Sequence, residues 1–260
     1  MRPFDQVDVF STEPLLGNPV AVVHDATGLT TEQMERFTRW TNLSEATFLL
    51  PPTDPKADYQ VRIFTQVGEL PFAGHPTLGT CHAWLEAGGA PRDGERIVQQ
   101  CPAGLIAIRH IDGVLAFEAP PLVRSGPVAD GDLRRIARVL GISTDRIVDS
   151  QWVDNGPGWV AVRLESAEAV ISLRPAADGA HFDIGVVGLY PPGSEYAYEV
   201  RAVFTDEHDR ILEDPVTGSL NASVAQWLVG QGLVTPPYAA RQGTAIGRRG
   251  RARITADEEG

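Results

Sequence analysis

Cysteine is nearly missing: 260 residues hold two, Cys81 and Cys101, too few for a disulfide framework and without metal-ligand spacing. Both read as reduced and buried. Basic residues are scarce too, 22 Lys and Arg against 34 Asp and Glu, and the net charge of −12 argues against a nucleic-acid or anionic-membrane surface. No apolar run is long enough to span a bilayer, and Met1 to Phe10 shows no basic segment followed by an apolar one. A soluble cytoplasmic protein is the expectation. Of six scattered histidines, the only close pair is His75 and His82; seven helical residues rise about 10 Å, too far for one metal. No glycine-rich dinucleotide fingerprint or phosphate loop with a Lys occurs, so nothing supports a nucleotide cofactor.

What is present is an internal repeat. Pro76, Gly79 and Thr80 recur as Pro215, Gly218 and Ser219, a spacing of 139 residues that also carries Tyr59, Val61 and Arg62 onto Tyr198, Val200 and Arg201. Val20-Ala21-Val22 matches Val160-Ala161-Val162 at a spacing of 140. Each copy reads as a β-branched and aromatic strand, a loop, and a helix with Pro in its first turn. The helices are expected to open at His75 and Asp214. Helix N-termini present unpaired N–H groups and partial positive charge, which suit a carboxylate. Two such ends brought together by pseudo-symmetry predict a cleft between two α/β halves, residues 1–120 and 121–260, with Pro120-Pro121 at the boundary.

Strands are expected at 4–10, 19–24, 46–50, 59–65, 95–100, 104–110 and 114–118, with Asp112-Gly113 as a hairpin turn. A helix capped by Thr30 or Thr31 carries Met34, Phe37 and Thr41 or Trp40 on its inner face, and a second runs from Pro76 to about Ala87. The second half adds a helix from Asp132 to Leu140 that the repeat does not predict, and a short one at 165–173. Its strands fall near 159–164, 182–190 and 196–204, its main helix at 215–229, and Arg249, Arg251 and Arg253 alternate as on a solvated strand face.

Glu45 is the sharpest candidate for chemistry. It opens an apolar strand, so its carboxylate is placed to be partly desolvated, which raises a carboxyl pKa and suits proton transfer. The bland alternative is a solvated Ser44-Glu45 turn. A step of 139 from Glu45 lands on Ile184, so the second half is expected to lack an acid there. Asp214 before Pro215 is explained by helix capping alone; His75, a poor capping residue, is not, though a satisfied turn histidine is the plain reading. The hydroxyls of Thr80 and Ser219 could meet a substrate or back-bond to their helices. Gly74 and Gly218 permit tight turns or close ligand approach. Trp and Tyr read as packing residues.

Together Asp8-Val9-Phe10, Gly17-Asn18-Pro19-Val20-Ala21-Val22, Asn42-Leu43-Ser44-Glu45-Ala46-Thr47-Phe48, Gly74-His75-Pro76-Thr77-Leu78-Gly79-Thr80 and Glu213-Asp214-Pro215-Val216-Thr217-Gly218-Ser219 resemble the PhzF-like phenazine-biosynthesis isomerases. Gln242-Gly243-Thr244-Ala245-Ile246-Gly247-Arg248 is similar as well. The resemblance implies a diaminopimelate-epimerase-like fold, two curved mixed sheets each around a central helix, and a cofactor-free isomerase, commonly a homodimer. It implies that Glu45 moves a proton between carbons of a small carboxylated substrate, with His75 and Asp214 assisting, and that Gly74, Gly218, Ser219 and Asn18 bind it. Related epimerases and proline racemases use two cysteines at the helix starts, where this chain has none. An epimerase using Glu45 opposite Asp214 or His75, and a non-catalytic metabolite-binding protein, remain as alternatives.

Overall fold

The computed structural model describes residues 2–256 apart from 95, 112 and 207, and for Ile111 the backbone alone. Two units emerge, Met1–Val9 with Asn18–Glu118, and Phe10–Gly17 with Ala119–Gly260. A single cut at 120 misses the exchange of residues 10–17, which run beside the last strand of the second unit.

The first unit contains β1 (Phe4–Val9), β2 (Asn18–Val23), α1 (Thr31–Thr41), β3 (Glu45–Leu50), β4 (Tyr59–Thr65), β5 (Glu69–Leu70), α2 (Gly74–Glu86), β6 (Arg96–Cys101), β7 (Gly104–Ile111) and β8 (Val114–Phe117). Its sheet runs β1-β2-β3-β4-β6-β7-β8, with β5 on β4. Thr30 caps α1 through a reciprocal capping box with Gln33. That helix lays Met34 on the face formed by Ala21, Ala46 and Phe48. Thr38 takes the inward place expected of Trp40, which is 75% exposed. On the opposite face lies α2, buried along most of its first ten residues. A Cβ at Gly79 would collide with Val20, so glycine is what lets this helix approach β2. The expected Asp112-Gly113 turn falls partly outside the described residues, at Asp112.

The second unit contains β9 (Arg124–Gly126), α3 (Asp130–Leu140), β10 (Asp149–Asp154), β11 (Trp159–Arg163), α4 (Ala167–Ser172), β12 (Asp183–Leu189), β13 (Tyr198–Thr205), β14 (Ile211–Asp214), α5 (Gly218–Gly230), β15 (Tyr238–Gln242) and β16 (Gly250–Ile254). Its sheet reads β9-β10-β11-β12-β13-β15-β16, with β14 on β13. Leu220, Val224, Trp227 and Leu228 of α5 bury against Ala161, Val187, Val200 and Ala202 on one face. The other face packs under α3 and α4.

The repeat extends to the sense of the pairings that the two sheets share. β1–β2 and β10–β11 are antiparallel, β2–β3 and β11–β12 parallel, β3–β4 and β12–β13 antiparallel, and β4–β6 and β13–β15 parallel. Two helix starts differ from expectation. α2 opens at Gly74, whereas α5 opens only at Gly218, with Thr217 at its N-cap. Asp214 ends β14 instead of capping the helix. The main-chain N–H of Thr217 is satisfied by Gln242 from β15, so the turn needs no aspartate cap. Among the described residues no helix is long and apolar enough to cross a membrane.

Candidate active site

Strand alternation sends Ala46 and Phe48 toward α1, and so Glu45 and Thr47 toward α2. The Glu45 side chain is 16% exposed, and its Oε2 lies 3.4 Å from Nε2 of His75, the second residue of α2. His75 is buried. Nδ2 of Asn18, the first residue of β2, lies 3.3 Å from the other ring nitrogen, Nδ1. Burial pushes the His75 pKa down to about 3, opposed by the Pro19 carbonyl, so the ring is uncharged at neutral pH. The approach to Glu45 is therefore imidazole to carboxyl, not an ion pair.

Below this group the α2 start is fixed by buried hydroxyls. Thr80 Oγ1 donates to Thr47 Oγ1 at 2.7 Å, and Gln99 Nε2 donates to Thr77 Oγ1 at 2.9 Å. The Thr80 hydroxyl is thus engaged inside the protein. Neither α2 nor α5 has a side-chain cap, so both first turns offer N–H groups and the positive end of the helix dipole. Gly74 and Gly218 are buried and neither is left-handed, so neither serves a tight turn that needs a positive φ.

In the second unit Thr217 Oγ1 donates to Asp214 Oδ2 at 2.6 Å. Gln242 organises the turn: its Oε1 accepts from Thr217 N–H and Asn221 Nδ2, and its Nε2 donates to the Asp214 carbonyl and to Thr217 Oγ1. Ser219 Oγ accepts from Trp159 Nε1 at 3.0 Å, and the Ser219 carbonyl accepts from Asn155 Nδ2 at 2.9 Å. With its oxygen held by the indole, the Ser219 hydroxyl keeps its own hydrogen for another acceptor.

Glu45, His75 and Asn18 thus meet at the start of α2, while Asp214, Gly218 and Ser219 cluster at the start of α5. Sequence reasoning missed Gln242, Asn155 and the polar role of Trp159. Only the Gln242-Gly243 motif hinted at the first. Glu45 beside a neutral imidazole can take and return a proton, and the N–H groups and hydroxyl at the α5 start can hold an anion. Among the described residues no three His, Cys, Asp or Glu could hold a metal ion together.

A family model described as phenazine biosynthesis-like protein matches residues 7–260. The chain is 34% identical to the antisense-enhancing sequence 1 protein of Schizosaccharomyces pombe over 98% of this chain and 90% of that one. It is 35% identical to the trans-2,3-dihydro-3-hydroxyanthranilate isomerase of Pseudomonas fluorescens, over 95% and 88%. A phenazine biosynthesis protein of the PhzF family from Bacillus anthracis superposes with a TM-score of 0.80 at 23% identity, over 98% and 91%. The fold is diaminopimelate-epimerase-like, as expected, with a sheet curled around a helix in each unit.

Proposed function

The chain belongs to the phenazine biosynthesis-like family, and from that premise we propose that it is a cofactor-independent isomerase moving a proton between two carbons of a small carboxylated metabolite. The observation that carries this reading is Glu45, largely buried and 3.4 Å from a neutral His75 at the start of α2. The Glu45 carboxylate removes a proton as the C–H bond breaks, the electron pair enters the neighbouring π-system, and the Glu45 carboxyl returns the proton to a second carbon as the new C–H bond forms. His75, held by Asn18, stands 3.4 Å from the Glu45 carboxyl and keeps it aimed. Asp214 assists the transfer, and Gly74, Gly218 and Ser219 bind the substrate, its carboxylate meeting uncapped helix N–H groups. Isomerases among the relatives support the reaction class.

Proton NMR in D₂O tests it, with trans-2,3-dihydro-3-hydroxyanthranilate and a panel of cyclic and acyclic carboxylates. Wild type is expected to form product or incorporate deuterium at carbon, and Glu45→Gln to lose about 10³-fold in rate. Equal rates in the two proteins would remove Glu45 from the chemistry.

A further inference from the structure

In each unit the strand that opens beneath the central helix reaches a residue in that helix's first turn. The match of Val20-Ala21-Val22 with Val160-Ala161-Val162 makes β11 the counterpart of β2, and the two strands share their pairing senses. At the start of β2, Asn18 holds His75, the second residue of α2. At the start of β11, Trp159 holds Ser219, the second residue of α5.

Ser219 is gripped three times. Trp159 Nε1 donates to its hydroxyl oxygen at 3.0 Å, and Asn155 Nδ2, from the β10–β11 turn, donates to its carbonyl at 2.9 Å. Ser223, one turn further along α5, donates its hydroxyl to the same carbonyl at 2.9 Å. The tryptophan is 5% exposed and the serine half-buried, so the indole reaches the hydroxyl from the core while part of the serine stays open. Among the described residues no acceptor receives the Ser219 O–H.

The need to satisfy a buried indole does not account for this pair. Trp227, buried in the same cluster, has an Nε1 that among the described residues meets no acceptor, so this core tolerates such a group. Nor does the helix start need the serine, since Thr217 is the N-cap residue and its N–H is taken by Gln242. The effect of the indole is on the hydroxyl itself. A serine oxygen carries one hydrogen and two lone pairs. The bond from Trp159 occupies one lone pair, points the hydrogen away from the ring and polarises it toward donation. Ser219 thereby joins the uncapped N–H groups of its turn as a donor.

We propose that Trp159 is a positioning and specificity-determining residue: it makes Ser219 a hydrogen-bond donor, and so selects a ligand that brings a carboxylate oxygen, in preference to an amide N–H, to the start of α5. This rests on the reading of Ser219 as a substrate-binding residue of the isomerase. Trp159 acts on the ligand only through the serine. Without the indole N–H the Ser219 oxygen is free to accept, and a carboxamide gains at this position what a carboxylate loses.

The test is calorimetric binding of 3-hydroxyanthranilate and of its carboxamide to wild type, Trp159→Phe, Ser219→Ala and the double variant, with kcat and KM for trans-2,3-dihydro-3-hydroxyanthranilate measured alongside. Expected for Trp159→Phe are an acid complex weakened about five- to tenfold, an acid-over-amide preference cut roughly tenfold, and a raised KM with kcat within about threefold. Once Ser219 is alanine, Trp159→Phe should change neither affinity by more than about twofold, as a residue acting through the serine requires. Benzothienylalanine placed at position 159 keeps the ring shape and loses only the N–H, and should repeat these changes without the underfilled core of the phenylalanine variant. An unchanged acid-over-amide preference in the benzothienyl protein, or an equal effect of Trp159→Phe with and without Ser219, overturns the inference. In either case, conversion of the dihydro substrate that Glu45→Gln abolishes leaves the isomerase reading standing. Wild type that binds neither compound and leaves the dihydro substrate unchanged overturns both.

Discussion

At the scale of single residues, two buried groups tie pH to stability in opposite directions. His75 is held near 3, well below its ordinary value, so the unfolded chain takes up a proton below about 6.5 that the folded chain refuses. Its contribution is present at neutral pH and is lost as pH falls from 6.5 toward 3. Denaturant titrations should show the gap between wild type and His75→Asn shrinking over that window. Asp183 is raised to about 6 from 3.8, by burial first and then by Asp154, so the folded chain keeps a proton that the unfolded chain gives up, and stability is lost as pH rises from about 4 through 6. Asp183→Asn should therefore be more stable than wild type at pH 7.5, by on the order of 1–2 kcal/mol after discounting its partial exposure, and no more stable at pH 3.5. Thermal melts at both pH values check this. Glu45 and His75 were legible because each sits in a local context that ordinary capping or turn chemistry does not use. The polar role of Trp159 was not, because its acceptor, Ser219, lies 60 residues further along the chain.

At the scale of elements, legibility followed the range of the interactions that define each end. The α1 start was readable since Thr30 and Gln33 are three residues apart. So was the stop of α3, where Gly141 is left-handed at φ 69°. The α5 start was misplaced because Asp214-Pro215 imitates a local N-terminus, while the group that completes the turn, Gln242, arrives from another strand. Gln242→Leu is expected to leave Thr217 N–H and Asn221 without their acceptor and to cost about 2–4 kcal/mol by denaturant midpoint. Loss of less than 0.5 kcal/mol would mean that water replaces the amide. Gly79→Ala should cost about 1–3 kcal/mol, because the added methyl meets Val20 under the central helix. Strand β10 went unread since Asp149–Asp154 has no clear alternation and only Val153 is fully buried.

At the scale of the whole chain, the path between units matters more than any one contact on it. Residues 10–17 join the second unit through main-chain bonds, Arg251 N–H to Phe10 O at 2.6 Å and Arg249 N–H to Leu16 O at 2.7 Å, and through the exposed Arg249–Glu13 pair. Because that pair is more than half exposed on both sides, Glu13→Ala should change stability by less than about 1 kcal/mol. A fragment of residues 119–260 alone would lack these partners along β16 and is expected to melt less cooperatively than the full chain, which calorimetry can read. During synthesis the same path sets an order of events. Phe10 to Gly17 leave the ribosome well over two hundred residues before their partners, Arg248, Arg249 and Arg251. The segment must wait for these partners while more than two hundred residues are added, so the second unit closes only after β16 has been made, and any stall before β16 leaves residues 10–17 exposed to chaperones and proteases.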